Sequence, residues 1–161
     1  MSRRGYSSSV WLLIVAVISF AAVGAALVSQ YYFDLQPCPW CTFQRLLFIV
    51  TGLLALFAAV MPGVLQRLLA LLAAAAALGG VASALWQHFV AAASDSCAMT
   101  FADNVMGQLR LFDLAPSVFS PTASCAEAAV KLLGVPYEFY SLALFAFGAI
   151  VCLRAVFRRG A

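Results

Sequence analysis

The sequence predicts an all-α integral membrane protein: a bundle of four transmembrane helices with both termini on the cytoplasmic side and two loops on the outer side. Three observations lead there. Apolar residues fill 65% of the 161 positions and charged residues only 9%, against about a quarter in soluble domains. Four apolar stretches reach about 20 residues, the length that crosses a hydrocarbon core of roughly 30 Å at 1.5 Å per residue. The cations are unevenly divided, with Arg3, Arg4, Arg67, Arg154, Arg158 and Arg159 at one set of helix ends and Arg45, Arg110 and Lys131 at the other. Cations favour the cytoplasmic side, so six against three puts the termini inside. All six acidic residues then lie outside, and the net charge of +3 reflects topology with no nucleic-acid partner implied.

The first helix, 10–29, is free of charge. Arg3 and Arg4 before it and Ala25 and Ala26 near its end also fit a signal peptide. Its apolar stretch exceeds the roughly 7 to 15 residues of such a segment, so an uncleaved helix is expected. A short outer loop, 30–40, leads to the second helix, 41–61, whose one charge is Arg45. Pro62-Gly63 marks a tight inner turn. The third helix, 68–93, is charge-free and carries an alanine run, 73–77, followed by Gly79 and Gly80, a composition that lets membrane helices approach closely. The fourth, 135–156, has Glu138 as the charge near its start. The whole reads as one membrane domain.

Between the last two helices runs a long outer loop, 94–134. It interleaves Phe101, Val105, Met106, Leu109, Leu111, Phe112, Leu114, Val118 and Phe119 with Asp103, Arg110 and Asp113. Two arrangements suit that pattern. The apolar side chains can rest in the membrane interface, or fold back on the bundle.

Four of the five cysteines fall on the outer side: Cys38 and Cys41 at the mouth of the second helix, Cys97 and Cys125 in the long loop. Cys152, inside the fourth helix, reads as an ordinary buried apolar residue. A Cys-Pro-Trp-Cys run can store two electrons as a dithiol and release them as a disulfide. Pro39 suits the first turn of a helix because its missing N–H costs nothing there, and Trp40 suits interface depth. A cysteine in that first turn meets free backbone N–H groups and the positive end of the helix dipole, which stabilise a thiolate. Arg45 follows Cys41 by four residues, on the same face and about 6 Å deeper. An arginine at this depth either snorkels to the headgroups or serves a function, and the adjacent dithiol favours the second: an electron acceptor at Cys41 needs a cation beside its developing negative charge. His88 lies at comparable depth near the outer end of the third helix and reads either as a hydrogen-bonded structural residue or as a site residue.

Cys97 and Cys125 enclose a loop whose closure would contribute about 3 to 4 kcal/mol on the chain-entropy model. An inert structural bridge leaves unexplained a second close pair on the same face, whereas two dithiols permit exchange by thiolate attack on a disulfide sulfur. Four cysteines allow three connectivities, and spacing does not choose among them.

The chain resembles the disulfide bond formation protein B (DsbB) family of bacterial inner membranes. The resemblance rests on four spans, Cys38-Pro39-Trp40-Cys41 followed by Gln44-Arg45, His88, Cys97, Ser124-Cys125-Ala126-Glu127 and Gly134-Val135-Pro136. In bacteria the DsbA–DsbB–quinone system keeps the periplasm oxidising. The resemblance therefore implies a thiol:quinone oxidoreductase of the inner membrane with its active cysteines on the periplasmic side. Its partners would be a periplasmic thioredoxin-like protein of the DsbA type and the membrane quinone pool, ubiquinone or menaquinone. It further implies that Cys97 forms the mixed disulfide with the partner, Cys125 hands electrons to Cys38, and Cys41 faces the quinone supported by Arg45 with His88 nearby. Family members often carry Glu before the arginine, where this chain has Gln44.

Three other readings compete. A vitamin K epoxide reductase-like enzyme would place its quinone-proximal pair in a late helix, whereas here the pair opens the second. A zinc protein would need two close ligand pairs, and Cys97 and Cys125 stand 28 positions apart. A membrane protein with two inert disulfides would pass no electrons to quinone.

Overall fold

The computed structural model describes residues 3–93 and 100–157. Four of its helices are long and apolar enough to cross a bilayer, over Ser8–Tyr32, Pro39–Val60, Gly63–Ala91 and Tyr137–Phe157. Helix α1 spans Arg3–Tyr32, α2 spans Pro39–Val60, and α3 spans Gly63–Trp86 and continues into a π-helical turn, Gln87–Ala91. Three short helices, α4 (Phe101–Gln108), α5 (Leu111–Leu114) and α6 (Pro116–Phe119), occupy the long loop before α7 (Tyr137–Phe157) closes the bundle. Contacts run α1 to α2, α2 to α3, α3 to α7 and α7 back to α1, so the four long helices form a closed ring.

The helix bounds depart from hydropathy for local reasons. Helix α2 begins at Pro39, two residues before the expected 41, because Cys38 caps it and proline fits the first position. Helix α3 begins at Gly63, five residues before 68, since Gln66 and Arg67 are good helix formers that an apolar count overlooks. Helix α7 starts only at Tyr137 because Val135-Pro136 pair antiparallel with Lys131-Leu132. That two-residue ladder is the departure from an all-α chain. Leu133 and Gly134 turn it with φ of 53° and 83°, positive values that suit a tight hairpin and that glycine adopts freely.

Small residues set the packing of α3. Ala70, Ala73, Ala74, Ala77, Gly80, Ser83 and Ala84 are buried along it. Phe145 of α7 presses so close that a Cβ on Gly80 would lie 2.4 Å from its ring. Phe145 in turn stacks on Phe48 of α2 with ring centres 3.8 Å apart. Large apolar side chains such as Val17, Val60, Val64 and Ile150 point outward, as lipid-facing positions require.

The long loop folds back on the bundle with one face and leaves the other exposed. Ala102, Met106 and Phe119 are buried, and α4 and α6 pack against α2. Phe101, Leu109 and Leu114 are exposed. Thr100 and Asp103 form a reciprocal capping box that starts α4.

Candidate functional site: a row of sulfurs beside a buried cation

The site is built on the start of α2. Cys38 has extended backbone angles, and its sulfur accepts a hydrogen bond from the Cys41 N–H at 3.3 Å. A cysteine thus does what serine or aspartate does at most helix starts. The cap folds the motif so that the two sulfurs lie 2.8 Å apart. Cys38 is fully buried and Cys41 partly so.

Cys125 completes the row. Pro37 O accepts hydrogen bonds from Thr122 N–H at 3.0 Å and Ala123 N–H at 3.2 Å, and Thr122 Oγ1 donates to Gln36 Oε1 at 2.6 Å. These tie the long loop before α7 to the loop between α1 and α2 just ahead of both cysteines. Ser124 and Glu127 then make a one-turn capping box, with Glu127 Oε2 accepting from Ser124 N–H and Oγ, each at 2.8 Å. Those two bonds hold the Glu127 carboxyl below the usual carboxylate range. The turn presents Cys125 to Cys38 in a buried cluster with Trp40, Ala91 and Ala102. Cys38 therefore hydrogen-bonds two sulfurs, Cys125 on one side and Cys41 on the other.

The proton is shared unequally along the row. Cys38 is pushed well above the ordinary thiol range, first by its hydrogen bond to Cys125, then by that to Cys41 and by burial. Cys125 is lowered, chiefly because the Cys38 thiol donates to it. Of these two sulfurs Cys125 gives up its proton more readily, and Cys38 holds its proton more tightly between two neighbours.

Beyond Cys41 opens a cavity of about 570 Å³. Ala22, Ala25 and Ala26 of α1, Phe48 of α2 and Leu144 of α7 give it apolar walls. Arg45 lines it too, yet only 5% of the arginine is exposed. Its guanidinium is buried within the protein, among partners at the end of the bundle that carries the sulfurs. Nη1 donates to Gln30 Oε1 and to Val118 O, each at 2.8 Å, and Nη2 to Ala26 O at 3.4 Å. Among the described residues no carboxylate lies within salt-bridge distance of it. A cation held by neutral acceptors keeps most of its field for whatever enters the cavity.

Gln44, Gln87 and Glu138 also line the cavity. Gln87 Nε2 donates to Cys41 Sγ at 3.3 Å, while its Oε1 accepts from Gln44 Nε2 at 2.7 Å. His88, the next residue, meets a different partner: its Nδ1 lies 2.6 Å from Glu138 Oε1. Glu138 lines the cavity, but His88 does not. Glu138 had a legible signal as an ionisable residue in a span, whereas Gln87 had none. Cys152 is buried in the apolar core of the bundle. Cys97 lies outside the described residues. No cluster of three or more His, Cys, Asp or Glu is arranged for a metal among the described residues.

A family model described as Disulfide bond formation protein DsbB matches residues 8–155. The chain belongs to the disulfide bond formation protein B family. Similar proteins of that name include one from Cupriavidus metallidurans, 34% identical over 137 residues covering 84% of each chain. Another, from Ralstonia nicotianae, is 30% identical over 154 residues, 95% of this chain and 96% of its own. A third, Disulfide bond formation protein B 1 of Pseudomonas syringae pv. syringae, is 29% identical over 156 residues, 92% of this chain and 89% of its own. Family and fold together make this protein a disulfide oxidoreductase that crosses a bacterial membrane several times.

Proposed function

We propose that the protein is a thiol:quinone oxidoreductase that reoxidises a periplasmic, DsbA-type thioredoxin-like partner and delivers the electron pair to the membrane quinone pool. The observation that carries this reading is the row Cys125, Cys38, Cys41 running from the outer loops to a cavity that holds a buried arginine. In this reading both termini are cytoplasmic and the sulfurs lie on the periplasmic side of the inner membrane.

The cavity suits a quinone head group. Its volume falls within the roughly 300 to 1,000 Å³ of small-molecule sites, its walls are largely apolar, and Arg45 supplies a cation. A bound quinone would supply a two-electron sink. The protein's own steps are disulfide exchanges. A thiolate of the reduced partner attacks Cys97 of a Cys97–Cys125 disulfide and Cys125 leaves as a thiolate; the partner's second thiol then displaces Cys97 from the mixed disulfide, leaving the partner oxidised and Cys97 and Cys125 reduced. The Cys125 thiolate attacks Cys38 of a Cys38–Cys41 disulfide, and Cys41 leaves as a thiolate steadied by the Gln87 N–H and the helix start. Cys97 then displaces Cys38 from Cys125, closing the loop pair and leaving the first pair as a dithiol. Arg45 holds the cavity positive while that dithiol gives up two electrons and closes again.

Anaerobic mixing of the protein with reduced partner and a quinone tests the reading. One partner disulfide and one quinol are expected per turnover, and both are lost in Cys97→Ala and Cys41→Ser. Normal turnover in either variant would contradict it.

A further inference from the structure

Glu138 stands out because its two oxygens have different fates. The side chain is only 4% exposed. Oε1 is engaged by His88 Nδ1 at 2.6 Å, whereas Oε2 is buried with no hydrogen-bond partner among the described residues. A buried polar atom without a partner is destabilising, and a ligand able to hydrogen-bond would offset that cost. Glu138 also lines the cavity beyond Cys41.

His88 gives the carboxyl a path outward. Its side chain is 31% exposed and belongs to the last turn before the outer loop, while its ring is held by contacts with Phe89 and Phe139. The imidazole thus joins a part-exposed position near the end of the third span to, through Nδ1, a carboxyl on the cavity wall. A histidine and a carboxyl sharing one hydrogen form a short proton relay.

Resting on the quinone reading above, we propose that Glu138 is the proton donor to the quinone oxygen on its side of the cavity and that His88 reloads it from outer water. The balance closes. As Cys38 and Cys41 join, two electrons pass to the quinone and two thiol protons leave to water. Two protons return to complete the quinol, one through His88 and Glu138 and the other from water at the loop side of the cavity, past Asp34 and Gln36. The other titratable groups facing the cavity are Asp34, Cys41, Arg45, Glu127, Tyr137 and Tyr140. Each is set apart from Glu138 by exposure, by a role in electron transfer or by lacking a link to His88.

The test uses the full chain in lipid nanodiscs with a short-chain benzoquinone, comparing wild type with Glu138→Gln and Glu138→Asp. Glutamine keeps the shape and a hydrogen bond to His88 but carries no proton. Quinol formation is expected to fall roughly 100-fold in the glutamine variant. It should also become about tenfold faster per unit of acidification as free protons replace the lost donor. Aspartate should restore part of the rate. A second readout needs no turnover: with both cysteine pairs oxidised, quinone binding should displace a carboxyl infrared band that Glu138→Gln lacks. Wild-type rate and pH profile in Glu138→Gln, or an unchanged infrared difference spectrum, would overturn the assignment while leaving quinone reduction intact. Absence of quinol from wild type would overturn the quinone reading and this assignment together.

Discussion

Replacing Arg45 with methionine keeps a long side chain and removes the charge. Arg45 and Cys41 line the same cavity, which puts a charge developing there on the order of 6 Å from the guanidinium. At an effective dielectric near 20, a unit charge at about 6 Å is worth ~3 kcal/mol to negative charge developing in the cavity. That energy corresponds to about a 100-fold loss in quinone-dependent kcat/KM. Methionine also leaves Gln30 Oε1 and Val118 O without their donor, so loosening of α6 must be separated from loss of charge. Arg45→Lys separates them, since it keeps the charge but not the forked donors, and should retain most of the rate. Anaerobic stopped-flow absorbance of the quinone measures the effect, and exchange with reduced partner in the absence of quinone reports whether the sulfur row survives. Wild-type quinone kinetics in Arg45→Met would refute the electrostatic role. An equal loss in the lysine variant would assign the effect to the hydrogen bonds instead.

Other outcomes follow from the same geometry. Cys125→Ser removes the largest influence on Cys38, so in reduced protein the pH midpoint for Cys38 alkylation should move down toward the ordinary thiol range. In wild type Cys125 should alkylate at lower pH than Cys38, because its thiolate persists to lower pH. Gly80→Ala forces a methyl into the Phe145 ring, and overpacking of about 1 to 3 kcal/mol should lower the thermal midpoint in detergent. Cys152→Ser should leave quinone turnover unchanged, as that thiol sits in the bundle core away from the sulfur row.

Much of this site was legible in the chain because its logic is local. Cys38, Pro39 and Cys41 carry their own helix start, and the four-residue step to Arg45 places cation and thiol on one face. The approach of Cys125 to Cys38 depends on bonds from Thr122 and Ala123 to Pro37 O, which join backbone 85 and 86 positions apart and leave no periodic trace. Ser124 and Glu127 did leave one, a Ser-x-x-Glu box, but its use in presenting a cysteine needs the loops assembled. Gln87 continues the buried stripe of Gly80, Ser83 and Ala84 at helical spacing, but that this stripe meets Cys41 is set by the packing of α3 on α2, which hydropathy does not register. The faces of α4 and α6 divide between core and surface for a similar reason: which side meets α2 is set by tertiary packing.

The most direct test is a single turnover quenched in acid, with thiols blocked and disulfide-linked peptides mapped by mass spectrometry over time. A Cys38–Cys125 bridge should appear after the partner is oxidised and decay before quinol accumulates, one bridge for each quinol. Quinol formed at the wild-type rate in Cys125→Ser, with that bridge never detected in wild type, would contradict the sulfur row as the path of the electrons.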